Sequence, residues 1–214
     1  MATDFISVQQ RLSAVPAILR VPSELMEIFV LRDFLAEKDC EHLIAMIDAK
    51  RKPSPLLSDN PNLGFRTSET CTFDRKDETV RRIEDRISSL VGIDPAYGEF
   101  AQGQRYETGQ QFKAHHDYLR EDQPYWDRQR MIGGQRTWTV MVFLNAPEQG
   151  GETYFPRLDL TITPRQGSLV AWNNLDRRGA PNPATLHQGR LVTSGRKYII
   201  TKWYRQRPWG LATA

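Results

Sequence analysis

The chain has 214 residues, 39% hydrophobic and 26% charged, with a formal net charge of +3 and a pI near 8.9. This is the composition of a soluble globular protein with one well-filled core, and no apolar run approaches the roughly 18 residues of a membrane-spanning helix. The basic excess is spread along the sequence, densest between Arg190 and Arg207, which favours an acidic protein substrate and speaks against nucleic-acid binding.

Residues 1–21, interrupted by Pro16, predict a short helix or strap. The start of the chain has no basic flank leading into an apolar run, so neither a secretory leader nor a membrane anchor is expected. A strand over 28–31 leads into a helix over 36–49, where Cys40, Leu43, Ile44 and Ile47 fall on one face. Cys40 and Cys71 lack C-x-x-C spacing and read as buried free thiols of a cytoplasmic protein. The Pro-, Ser- and Asn-rich stretch 51–63 reads as a surface loop. A second helix carries the stripe Val80, Ile83, Ile87, Leu90 and Val91, with Asp77 as N-cap and Gly92 as stop.

Beyond Asp94 the texture changes to short strands, predicted over 104–107, 112–118, 137–144, 153–155, 160–163, 168–172, 189–192 and 197–204. The expected fold is mainly β with flanking α-helices around a double-stranded β-helix, a jelly-roll or cupin-like core. It is read as a single domain over 1–214, with N-terminal helices and supporting strands in 1–95 and the jelly-roll core in 96–206. Residues 119–135 read as a loop near the mouth of that core, and Gly150-Gly151 as a tight turn with no phosphate-binding role.

The chemistry concentrates on His115 and Asp117. On a strand, residues i and i+2 share a face, so both can address one ion while His116 points away. Two nitrogens and one carboxylate leave three of six iron coordination positions open, as oxygen-activating sites need. The third donor must come from a neighbouring strand, and His187 is the candidate. Lys197, ten residues later, offers a cation to an acidic co-substrate. A His-x-Asp pair alone is a weak signal, since charged strand residues often face solvent. His42 reads as a solvated partner of nearby acids, Trp138 and Trp172 as core aromatics, Arg136 as the cap of a surface position, and Glu152 as structural.

Four segments carry a resemblance: Tyr106 to Tyr118 (YETGQQFKAHHDY), Gly150 to Pro156 (GGETYFP), Pro164 to Gly167 (PRQG), and His187 through Lys197 to Trp203. Over residues 22–206 the chain resembles the prolyl 4-hydroxylase family of 2-oxoglutarate- and Fe(II)-dependent dioxygenases. The resemblance implies that His115, Asp117 and His187 bind Fe(2+) and that Lys197 holds the distal carboxylate of 2-oxoglutarate. It further implies that Tyr106, Thr139 and Trp203 line the co-substrate pocket, and that Arg66-Thr67-Ser68 lies near the substrate cleft. O2 is then a substrate and ascorbate the expected reductant. Against the family pattern, Ala114 stands where Pro is common and His116 where an aromatic is frequent. The usual Pro before Lys197 is replaced by Arg190-Leu191-Val192, and Tyr198 stands where Trp is frequent.

The expected reaction is hydroxylation of a peptidyl residue, proline at the 4-position first, with release of succinate and CO2. Arg66, Tyr118, Trp126 and Arg190 lining an open groove would favour a peptide or protein; a small closed pocket would favour a free amino acid or other small molecule. A non-catalytic cupin-like metal-binding module is the contrasting class. The residues leave monomer and homodimer both open.

Overall fold

The computed structural model describes residues 7–54 and 65–210. Helix α1 (Val8–Ser13) and strands β1 (Ile18–Arg20) and β2 (Ile28–Leu31) precede helix α2 (Glu37–Lys50). Strands β3 (Lys52–Pro53) and β4 (Glu69–Thr72) lead to helix α3 (Glu78–Val91). Most of the loop predicted over 51–63 lies outside the described residues. Strands β5 (Gln102–Tyr106) and β6 (Phe112–His115), the short helix α4 (Trp126–Met131) and strand β7 (Arg136–Phe143) follow. The last part holds β8 (Gln149–Gly150), β9 (Thr153–Phe155), β10 (Leu160–Ile162), β11 (Leu169–Asn173), β12 (His187–Gly189), β13 (Val192–Ser194) and β14 (Lys197–Arg205).

An eight-stranded sheet in the order β1-β2-β11-β7-β14-β5-β4-β3 faces a four-stranded sheet in the order β10-β9-β12-β6, and both are antiparallel. Strands from the N-terminal part thus extend the same sheet that carries β7 and β14. The central strands are buried on both faces, and their period-2 alternation sorts side chains into two layers. Trp138, Val140 and Val142 of β7 and Tyr198, Ile200 and Tyr204 of β14 join one core cluster with Leu43 and Ile47 of α2 and Ile83 and Ile87 of α3. Met141, Phe143 and Ile199 face the other way, toward Phe155 and Trp172.

The helices follow from the sequence as expected. The Asp77 side chain accepts from Val80 N at 3.0 Å, and Gly92 ends α3 in the left-handed region at φ 72°. Val80, Ile83, Ile87 and Val91 are buried. Helix α2 lies so close to the sheet that a Cβ on Gly103 of β5 would sit 2.4 Å from Ile47 Cγ1.

Three predicted elements differ. The strand over 112–118 stops at His115, because its partner β12 begins with His187 directly opposite and offers no residue further on. The strand over 189–192 does not form. An irregularity in β12 between His187 and Gly189 turns the chain out of the ladder, and Arg190 N and Val192 N are taken up by Glu152 O and Gln110 O. The loop over 119–135 contains α4.

Candidate active site

Antiparallel pairing of β6 with β12 sets His115 opposite His187, with ring centroids 4.3 Å apart, and Asp117 follows just beyond β6. One ligand atom from each of the three lies within 4.8 Å of the others. Nδ1 of His115 is 2.8 Å from Lys113 O, and Nδ1 of His187 is 2.9 Å from Thr185 O. A carbonyl can only accept, so Nδ1 carries the hydrogen in both rings and each Nε2 turns its lone pair inward. Asp117 Oδ1 lies 3.7 Å from His115 Nε2, and Oδ2 lies 3.9 Å from His187 Nε2.

The electrostatics agree with this donor set. Burial, and then the proximity of His187, hold the His115 pKa well below its ordinary value, so the ring is neutral. Burial alone would raise Asp117, but the two histidines and Arg136 outweigh it and hold the carboxyl below its ordinary range. Two imidazole nitrogens and one carboxylate with open positions fit an iron(II) ion.

Two cavities meet at His115 and Asp117, and His187 lines the inner one. The inner one is small and is lined by Tyr106, Met141, Trp172, Lys197, Ile199 and Trp203 among others, together with His115, Asp117 and His187. Lys197 is 1% exposed, and its Nζ lies 5.3 Å and 5.5 Å from the Tyr106 and Phe143 rings. No acidic side chain among the described residues is within ion-pair distance of it. Burial lowers its pKa to about 7, with Glu152 opposing only weakly. A buried cation facing a cavity without a counter-ion calls for an anionic ligand.

The outer cleft, about 700 Å³, is lined by Arg66, Tyr118, Arg120, Tyr125, Arg136 and Trp209 among others, and shares Arg66, Phe112, His115, Asp117 and Trp203 with the inner pocket. Arg136 forks onto Glu99 at 2.6 and 2.9 Å and lies over the Trp203 ring at 4.0 Å. Arg205 Nε is 2.6 Å from the same carboxylate, so two guanidiniums share one acid. Burial would raise Glu99, but these two cations hold it below its ordinary value. Arg66 donates to Ser68 Oγ and Thr70 Oγ1, each at 3.1 Å, and lies over the Phe112 ring at 4.8 Å.

Of the residues singled out from sequence, His187, Lys197 and Tyr106 line the inner cavity, His115, Asp117, Trp203 and Arg66 line both, and Tyr118 lines the outer cleft. Thr139 lines neither: it is fully buried and donates to Asp117 Oδ2 at 2.9 Å. Trp126 opens α4 outside both linings, while its neighbour Tyr125 faces the cleft. Arg190 also lies outside both, because its guanidinium covers the Tyr154 ring at 4.1 Å. Arg136 is no surface cap, since its side chain is buried against Glu99. His116 lines the outer cleft, with Nε2 3.3 Å from Pro183 O, and His42 pairs with Asp77 at 3.0 Å on the surface. Sequence reasoning missed Glu99, Arg205 and Asn174. Only the polar character of Glu99 and Arg205 at the edges of strand-like stretches hinted at them.

Comparison with known proteins places this geometry. A sequence model of the 2OG-Fe(II) oxygenase superfamily matches residues 101–205. Prolyl 4-hydroxylase 1 of Arabidopsis thaliana is 30% identical over 200 residues, covering 84% of this chain and 69% of the relative. Probable prolyl 4-hydroxylase 4 of the same plant is 31% identical over 203 residues, covering 82% and 66%. The chain thus spans about two thirds of the length of these relatives. Among solved structures, a viral collagen prolyl hydroxylase from Paramecium Bursaria Chlorella virus-1, determined as a 2OG complex, superposes with a TM-score of 0.65. It is 28% identical, with 83% of this chain and 95% of that chain covered. The double-stranded β-helix expected from the sequence is the fold found.

Proposed function

Because the chain belongs to the prolyl 4-hydroxylase family of 2-oxoglutarate- and Fe(II)-dependent dioxygenases, we propose that it hydroxylates a prolyl residue of a peptide or protein at the 4-position. The observation that carries the substrate reading is the pair of cavities meeting at His115 and Asp117: one small and lysine-capped, the other much larger. A cleft of about 700 Å³ exceeds what a free amino acid fills, and suits an extended chain.

When bound, iron(II) with 2-oxoglutarate and O2 supplies the oxidising chemistry that places one oxygen atom in a C–H bond and the other in succinate. His115 and His187 would present Nε2 and Asp117 a carboxylate oxygen to the ion. Lys197 would pair with the distal carboxylate of 2-oxoglutarate in a low-dielectric pocket, where the charge pair is stronger than in water. Met141, Trp172 and Ile199 keep water from that pocket. Arg66 and Tyr118, with Arg136 and Tyr125, would orient the peptide so that one prolyl ring faces the ion. Ascorbate is the proposed reductant. The free, buried thiols Cys40 and Cys71 support a reducing, cytoplasmic setting.

Succinate release with Fe(II), ascorbate and 2-oxoglutarate, with and without a panel of proline-rich peptides, tests the reading. We expect peptide-stimulated succinate and a mass gain of one oxygen on a prolyl residue. Succinate that no peptide stimulates would move the substrate to a small molecule. No succinate from iron-loaded protein would overturn the enzyme reading.

A further inference from the structure

Asp117 is the sole anionic donor of the three, and a chain of two neutral side chains reaches one of its oxygens. Thr139 Oγ1 donates to Asp117 Oδ2 at 2.9 Å, and Asn174 Nδ2 donates to Thr139 Oγ1 at 2.9 Å. Thr139 on β7 and Asn174, just beyond the end of the neighbouring β11, are wholly buried. The direction of this chain of hydrogen bonds is dictated by chemistry. A carboxylate only accepts and a hydroxyl has a single hydrogen, so Thr139 gives its hydrogen to Asp117 and Asn174 must turn its NH2, not its oxygen, toward Thr139.

Asn174 is itself rigidly held. Its N–H donates to Thr137 O at 2.7 Å, and its carbonyl accepts from Asn182 N at 2.9 Å. Its Oδ1 is buried with no hydrogen-bond partner. An orphaned buried amide oxygen is unfavourable and in a folded protein calls for a reason. Here the reason is the donor on the other side of the same amide. A carboxylate torsion is broad and nearly two-fold, so an unrestrained Asp117 could exchange its oxygens. With Oδ2 occupied by the Thr139 hydroxyl, Oδ1 is the oxygen left for an ion.

We propose that Asn174 is a positioning residue of the metal site: through Thr139 it locks the Asp117 carboxylate so that one chosen oxygen faces the ion. This rests on reading His115, Asp117 and His187 as the metal site. Outer partners of this kind tune metal affinity about 10–100-fold.

Titration of the full chain with Co(II), followed by affinity and visible spectrum, tests it without turnover. Asn174→Leu and Thr139→Val should each weaken Co(II) binding about 10–100-fold and change the spectrum, while Thr139→Ser, which keeps the hydroxyl, should bind as the parent does. Because Asn174 acts through Thr139, Asn174→Leu should add no further loss in the Thr139→Val background, whereas a general packing role would add. If Asn174→Leu does not fold, Asn174→Ala removes the donor without added bulk and should show the same loss. Parent affinity in Thr139→Val, or additive losses in the double variant, would overturn the relay alone. A parent protein that binds no Co(II) would remove the metal reading and the relay together.

Discussion

Two lysines leave strand β14 toward opposite faces of the same sheet, and neither is more than 2% exposed. Lys202 points to the helices and finds Glu84 of α3 at 3.1 Å, an acid that also accepts from Ala101 N at 2.7 Å. Lys197 points to the inner cavity, and among the described residues no acid is within ion-pair distance of it. Burying a charge is costly unless it is paired. On the helix side the chain supplies the partner and the lysine is structural. On the cavity side no described residue supplies the partner, and the lysine is available to an anionic ligand. The difference between the two faces is therefore a difference in where the counter-charge resides.

The largest effects come from breaking each side at its anion. Asp117→Ala should abolish turnover with Fe(II) and 2-oxoglutarate while leaving Tm within about 4 °C of the parent, the shift that roughly 1 kcal/mol produces in a chain of this size. Residual turnover near the parent rate would remove the site. Glu84→Gln is the matching break on the helix side, since it turns Lys202 into a buried cation that no ligand can reach. A loss of about 3–5 kcal/mol is expected in urea unfolding, at the low end because the bond from Ala101 N survives, with the 2-oxoglutarate requirement of the folded fraction unchanged.

Lys197→Met sharpens the contrast from the other direction. A charge-assisted hydrogen bond is worth about 1.5–3 kcal/mol, so the KM for 2-oxoglutarate should rise by roughly 10–100-fold. Without the co-substrate, replacing an unpaired buried ammonium by an apolar side chain of similar length should leave stability equal or higher. A stability loss as large as that of Glu84→Gln would mean that Lys197 has a structural partner after all.

The two faces were unequally legible in the sequence. The helix side was written in local periodicity: the stripe Val80, Ile83, Ile87 and Val91 with its two caps needs no knowledge of what it packs on. His115 and Asp117 were legible from their i, i+2 spacing even though β6 ends at His115, and His187 and Lys197 from the motif segments that carry the family resemblance. What escaped were partners drawn together across the sheet. Glu99 meets Arg136 over a separation of 37 residues, and Asn174 meets Thr139 over 35. Alternation placed Thr139 on the face of Met141 and Phe143, but it could not say that the hydroxyl would be spent on Asp117 instead of on a cavity wall. Trp126 was singled out as an aromatic in a charged stretch, yet a helix start at that position left Tyr125 as the aromatic in the cleft.

The mildest way to probe the comparison is pH, which titrates Lys197 without mutation. Burial lowers its pKa to about 7 in the unliganded protein, against about 10.4 in the unfolded chain. Two consequences carry opposite signs. Between about pH 7 and 10.4 the unfolded chain binds the proton that the folded protein has given up, so the stability of the unliganded protein contributed by this group rises with pH across that window and is flat below it. Binding of 2-oxoglutarate requires the ammonium, so over the same window the KM should climb, at most tenfold per pH unit, and binding should take up a proton from buffer. Calorimetry of 2-oxoglutarate binding in two buffers of different ionisation enthalpy would count that proton at pH 8. Lys197→Met should lose both the proton uptake and the slope in KM, leaving only the flat, weak binding of a pocket without its cation. A proton count of zero in the parent would mean that Lys197 stays charged while unpaired, and that the two faces of β14 differ less than their geometry implies.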